Sequence, residues 1–181
     1  MKSDFEIIDN FLNPRDFDDL VDCFVARKNV HQAGCAWYLN TSIVFSPNNE
    51  EWDTQEWEKQ KNNQFYMCHT VYEQNEPKSE YYPLLFPTLD KLEVLFLGRI
   101  KANLYPNTHK LQEHSMHSDM KSSHKAAILS LNTCDGYTKL EDGTKIDSVA
   151  NRILLFDGST PHCSTTTTNA PTRININFNY M

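Results

Sequence analysis

Two stretches in the second half of the chain alternate strictly between polar and apolar residues. In TRININFNY, residues 172–180, Arg173, Asn175, Asn177 and Asn179 fall on one side and Ile174, Ile176, Phe178 and Tyr180 on the other. In RIKANLY, residues 99–105, Arg99, Lys101, Asn103 and Tyr105 oppose Ile100, Ala102 and Leu104. A period of two predicts strands with two chemically distinct faces. KAAILSLN (125–132) and NRILLFDG (151–158) are more continuously apolar and predict buried strands. YTKLEDGTKID (137–147) predicts a hairpin turning at Asp142-Gly143. The first half has a different rhythm. Phe17, Leu20, Val21 and Phe24 recur at helical spacing, after Asn13 as N-cap and Pro14 at the first helical position. FPTLDKLEVLFLG (86–98) predicts a second helix ending at Gly98. AWYLN (36–40) and SIVFS (42–46) predict short strands, and the acidic stretch 46–64 a surface insertion with some helix. The expected fold is mainly β with N-terminal helices (α+β), a small barrel or jelly roll. The expected organisation is one domain over 1–181, with 1–96 as helical support and substrate side and 97–181 as the β core.

Composition narrows the class. A chain of 181 residues suffices for one substantial core. No run approaches the roughly 18 apolar residues of a membrane span. MKSDFEIIDNF has acids where a signal peptide needs an apolar core, so a cytoplasmic protein of the producing or host cell is expected. Five cysteines, an odd number without a CxxC pair, predict free thiols. The net charge of −7 argues against phosphate-backbone binding as the main task.

The chemistry concentrates in EHSMHSDMKSSH, residues 113–124, which holds three of the seven histidines. In a strand, His117 and Asp119 share a side. His162, in GSTPHCS after the strand ending near Gly158, is the best third ligand. Two histidines and one carboxylate on one face of a metal suit non-heme Fe(II), with positions left open. His114, three residues before His117, is expected on the opposite face, and His124 lacks a carboxylate two residues on. Arg173 follows His162 by eleven residues on a polar strand face. A buried arginine there needs an anion and suits a carboxylate. Asn175 shares that face, and Asn103 and Tyr105 face the same way on their own strand, so the four would suit a dicarboxylate. Cys163, next to His162, is expected to point away. Asp157 is expected to make a turn, STTTT (164–168) an edge and turn, and the acids at 50–58 a solvated face.

HSD at 117–119, His162 and Arg173 together resemble the motif of the Fe(II)/2-oxoglutarate-dependent dioxygenases, over roughly residues 97–181. The spacing from His162 to Arg173 resembles the prolyl 4-hydroxylase-like branch, and the combined pattern is similar to short members encoded by bacteriophages. The resemblance implies a double-stranded β-helix (jelly-roll, cupin-like). It implies His117, Asp119 and His162 as iron ligands and catalytic centre, and Arg173 on the distal carboxylate of 2-oxoglutarate. Tyr105 matches a tyrosine ahead of HxD that touches the same carboxylate, and Asn103 and Asn175 are co-substrate contacts. O2 is the second co-substrate, with ascorbate as an accessory reductant. A partial echo of the nucleic-acid demethylase branch (NLY before HSD, RIN on the last strand) breaks at Asn179, where that pattern has a second arginine. The implied substrate is peptidyl proline or another peptide or small molecule; nucleic acid is disfavoured and no membrane is implied. Trp37, Tyr38 and Tyr66 are wall candidates. The alternatives are a cupin-like metal enzyme that does not use 2-oxoglutarate and a non-catalytic jelly-roll binding module. Fold alone does not separate them.

Overall fold

The computed structural model describes residues 4–25, 34–40, 65–120 and 122–181. The predicted strand SIVFS and the acidic insertion lie outside the described residues. In chain order the elements are β1 (Phe5–Ile8), α1 (Pro14–Phe24), β2 (Tyr38–Asn40), β3 (Tyr66–Glu73) and β4 (Glu76–Pro77). A 3-10 turn, Tyr82–Leu85, then runs into α2 (Phe86–Lys91). The second half holds β5 (Leu97–Pro106), β6 (Lys125–Ser130), β7 (Tyr137–Leu140), β8 (Lys145–Asp147), β9 (Arg152–Asp157), β10 (His162–Cys163) and β11 (Thr172–Tyr180).

Two sheets form among the described residues. The larger has the order β1-β9-β6-β11-β5-β3-β2, with β4 on β3; the smaller has the order β10-β7-β8. Among the described residues strand outweighs helix, and this is the jelly-roll architecture expected from the alternating segments. β5 and β11 are antiparallel neighbours, with Arg173 opposite Tyr105, Asn175 opposite Asn103, Asn177 opposite Lys101 and Asn179 opposite Arg99. The two polar faces are thereby one face, eight side chains in four facing pairs, turned toward the smaller sheet.

The opposite face builds the main core. Ile100, Ala102, Ile174, Ile176 and Phe178 pack with Leu129 and Ile153 against Leu20 and Phe24 of α1. Leu20 and Phe24 are fully buried, each contributing on the order of 1.5–3 kcal/mol. The Asn13 side chain caps α1 by accepting from the Asp16 amide at 3.1 Å. A second cluster, with Ala126, Ile128, Leu140, Ile146, Leu154 and Phe156, fills the space between the sheets.

Two expectations from the sequence are corrected. The second helix ends at Lys91, not before Gly98: Glu93 turns left-handed (φ 52), and the Leu95 and Phe96 amides both donate to the Met181 carbonyl. Pairing with the chain's end starts the strand early, so Gly98 lies within β5. The threonine run is no edge over 164–167, although the chain does bend from Thr168 toward Pro171. Thr165, Thr166 and Thr167 are buried, and their hydroxyls bond to Tyr137, Thr108 and Asp135. The predicted hairpin forms as β7–β8, with Gly143 at φ +88. Asp157 makes its turn by accepting from the Ser159 amide at 2.8 Å. No helix among the described residues is long and apolar enough to cross a membrane.

Candidate metal centre

The segment carrying His117 and Asp119 runs antiparallel to the one carrying His162. His117 and His162 exchange both backbone hydrogen bonds, each at 2.9 Å, and the Asp119 amide donates to the Gly158 carbonyl at 3.3 Å. This short pairing keeps His117 and Asp119 on one side and sets His162 across from them. Ligand atoms of the three lie within 4.8 Å of one another. The imidazole rings are 4.8 Å apart, and His162 Nε2 stands 4.0 Å from Asp119 Oδ2. Backbone carbonyls hold the other ring nitrogens: Thr160 O lies 3.0 Å from His162 Nδ1 and Ser115 O lies 3.4 Å from His117 Nδ1. With Nδ1 so engaged, each ring presents Nε2 to the centre. Burial, then His162, lowers the pKa of His117, which favours the neutral ligand form.

Asp119 is held from three directions. Arg99 donates to Oδ1 at 2.9 Å, while the amides of Asn177 and Asn179 donate to Oδ2 at 3.0 and 2.8 Å. Burial opposes its charge, but His162, Arg99 and the two asparagines outweigh it and hold the carboxyl at about 2. Two imidazoles that turn Nε2 to the centre and an ionised carboxylate, pre-oriented by their neighbours, fit a divalent metal of the Fe(II) type.

Arg173 is the largest fully buried side chain among the described residues, 1% exposed. Its Nη2 donates to Thr138 Oγ1 at 2.9 Å and its Nη1 to Thr165 O at 3.3 Å, and the guanidinium lies 5.3 Å over the Tyr105 ring. Its Nε has no partner. No carboxylate among the described residues pairs with it, and burial lowers its pKa. A buried cation in that state costs free energy until an anion arrives.

A cavity between the sheets joins these parts. It is lined by His117, Asp119 and His162, by Asn103, Tyr105 and Asn175, and by Tyr66, Lys101, Ile128, Thr138, Ser164 and Asn177. Six of the seven residues singled out in the sequence line it; Arg173 stands behind Thr138 and Tyr105. Asn103 donates to Asn175 across the strands at 3.1 Å. Of the three wall candidates only Tyr66 lines the cavity: Trp37 packs edge-on to Phe24, and Tyr38 is exposed.

The flanking histidines are not in the triad. His114 was expected on the opposite face, but its segment is irregular there and the ring turns inward. It is tilted against Tyr105 at 5.4 Å, with Nδ1 2.8 Å from Ser164 Oγ. His124 lies against Gly158 and 3.3 Å from the Asn179 amide. Cys163 is buried outside the cavity lining.

Sequence reasoning missed Arg99, Lys101, Asn177 and Asn179 as site residues, although alternation had put all four on the right faces. The guanidinium absent at position 179 is present at the same level, because Arg99 is the register partner of Asn179.

No protein-family model matches the chain, and no curated protein matches it. Solved structures do. A prolyl hydroxylase from Trichoplax adhaerens, in complex with a hypoxia inducible factor oxygen degradation domain peptide fragment, is similar at TM-score 0.61 and 18% identity. That match covers 97% of this chain and 83% of that one. A Pseudomonas putida prolyl-4-hydroxylase is similar at TM-score 0.51 and 14% identity, over 99% and 93%. SnoN, a non-heme alpha-ketoglutarate-dependent epimerase from nogalamycin biosynthesis, is similar at TM-score 0.60 and 10% identity, over 99% and 78%. The chain therefore has the fold found in 2-oxoglutarate/Fe(II) oxygenases, prolyl hydroxylases among them.

Proposed function

We propose that the chain is an Fe(II)- and 2-oxoglutarate-dependent dioxygenase, 1–181 acting as one domain, that hydroxylates a peptidyl-proline or small-molecule substrate. The observation that carries this reading is Arg173, a buried cation with no carboxylate partner among the described residues, at the opposite end of the polar face from Arg99, Asn177 and Asn179, which hold Asp119 of the His117–Asp119–His162 cluster. A metal site alone suits many enzymes; a metal site with an anion seat set along the strands from it suits a keto diacid.

His117, Asp119 and His162 would hold Fe(II), which supplies the O2 chemistry: 2-oxoglutarate is oxidised to succinate and CO2, and the substrate C–H becomes C–OH. The rest is the work of the protein. Arg173, backed by Tyr105 and Thr138, binds the distal carboxylate. Asn103 and Asn175 flank the middle of the diacid. Arg99, Asn177 and Asn179 keep Asp119 ionised and aimed. Phe156, edge-on to His162 at 5.0 Å, and Ile128 keep that side dry. Ascorbate would act as an accessory reductant.

The test is anaerobic. Fe(II) and then 2-oxoglutarate are added, and the visible charge-transfer band of a chelated keto acid is followed. The band is expected in wild type, is lost in His162→Ala, and needs far more 2-oxoglutarate in Arg173→Ala. Folded wild type that binds metal without the band would instead support a cupin-like enzyme.

A further inference from the structure

A second cation faces the cavity, and the reading above leaves it unused. Lys101 on β5 donates to the Tyr66 hydroxyl at 3.0 Å, with its amine 5.2 Å over the Tyr66 ring. The same hydroxyl accepts from Asn40 Nδ2 at 3.0 Å. A phenol oxygen has two acceptor positions, so both are taken and the Tyr66 proton is left to donate elsewhere. The Lys101 ammonium keeps two more N–H groups, and no carboxylate among the described residues pairs with it; Asp119 is already engaged by Arg99, Asn177 and Asn179. Both residues line the cavity. This corner offers donors and a positive charge, and an anion is the ligand that satisfies both.

Register separates this corner from Arg173. Lys101 and Asn177 form the pair next to Arg99 and Asn179, which hold Asp119, while Tyr105 and Arg173 stand two pairs further along. At roughly 3.3 Å per residue that is about 13 Å of strand. The two cations cannot serve one carboxylate.

We infer that Lys101 and Tyr66 form a second carboxylate-binding position, used by a substrate that carries a carboxylate, such as a free amino acid. The inference rests on the proposed function for what occupies Arg173. A carboxylate at Lys101 could also be the keto-acid end of the co-substrate, and the experiment separates the two sources.

Wild type, Lys101→Met and Tyr66→Phe, each shown to be folded by circular dichroism, are loaded anaerobically with Fe(II) and saturating 2-oxoglutarate. They are then titrated with 13C-formate, the smallest carboxylate probe, and paramagnetic broadening of its NMR line is read. One saturable formate site near the metal is expected in wild type. It should weaken about tenfold or more in Lys101→Met and a few-fold in Tyr66→Phe. The charge-transfer titration of 2-oxoglutarate should stay within about twofold of wild type. Formate binding that ignores Lys101→Met overturns the inference. So does the reverse pattern, in which Lys101→Met weakens 2-oxoglutarate and formate competes with it, because the carboxylate is then the co-substrate's own. If wild type gives no band at all, the oxygenase reading fails separately. Formate binding to the metal-free proteins, read as chemical-shift change, still decides whether Lys101 and Tyr66 hold a carboxylate.

Discussion

Gly136, in the turn before β7, tests whether Arg173 must stand where it does. A Cβ at this position would meet Arg173 Cδ at 2.6 Å, Thr166 O at 2.7 Å and Thr165 Oγ1 at 3.2 Å. Real Cβ atoms essentially never come within 3.0 Å of another heavy atom, so in Gly136→Ala something must shift. The Thr166 carbonyl is backbone inside the buried threonine run, which leaves the arginine as the partner free to yield. Its hydrogen bond to Thr138 Oγ1 at 2.9 Å and its seat on the Tyr105 ring would then be disturbed. Overpacking of this kind costs about 1–3 kcal/mol of stability. A misplaced guanidinium also forfeits charge-assisted bonds of roughly 1.5–3 kcal/mol, which is about 10- to 100-fold in 2-oxoglutarate affinity. The assay is the anaerobic charge-transfer titration, with thermal unfolding recorded on the same protein. One added methyl group should shift the 2-oxoglutarate midpoint while leaving Fe(II) binding near wild type. A variant with wild-type Tm and wild-type 2-oxoglutarate affinity would refute both the packing of Arg173 and its role as anchor.

Three further outcomes are expected. Gly158→Ala would place a Cβ 2.1 Å from His124 Nε2, so the ring must leave Asn179, and the variant should lose roughly 1–3 kcal/mol in denaturant unfolding and bind metal more weakly. Arg99→Met removes the donor to Asp119 Oδ1 and should weaken divalent-metal binding about 10- to 100-fold by calorimetry, with the fold intact. Burial, then Arg173 and His117, lowers the pKa of His114 from 6.5 to about 4. Its unfolded form therefore binds the extra proton between those values, so stability rises with pH from about 4 to 6.5, and below about 4 this dependence ends. The full effect is on the order of 3 kcal/mol, and His114→Gln should flatten the urea-midpoint profile in that window if the assignment is right.

Much of the site was legible because strands write their faces into sequence. The alternation in 99–105 and 173–180 assigned Arg99, Lys101, Asn103, Tyr105, Arg173, Asn175, Asn177 and Asn179 to one face, and the structure pairs them across β5 and β11. The pair His117 and Asp119 was readable for the same reason: two residues apart on extended backbone share a side. His114 was not, since its segment is irregular and a parity argument does not hold there. The threonine run looked like surface because its hydroxyls are polar. Thr165, Thr166 and Thr167 are interior because each finds a partner on another segment, and that is invisible to composition.

Alone, the sequence determined the strand periods, the α1 cap, the Asp142-Gly143 turn and the residue types able to bind a metal and a carboxylate, all properties of neighbours along the chain. Which strand lies beside which, and in what register, belongs to tertiary structure. That register turned two separate polar faces into one cavity wall, put Arg99 opposite Asn179 and onto Asp119, and set Lys101 beside Tyr66 on the cavity. Pairing energies depend on contacts between residues dozens of positions apart, and only the folded chain brings those together.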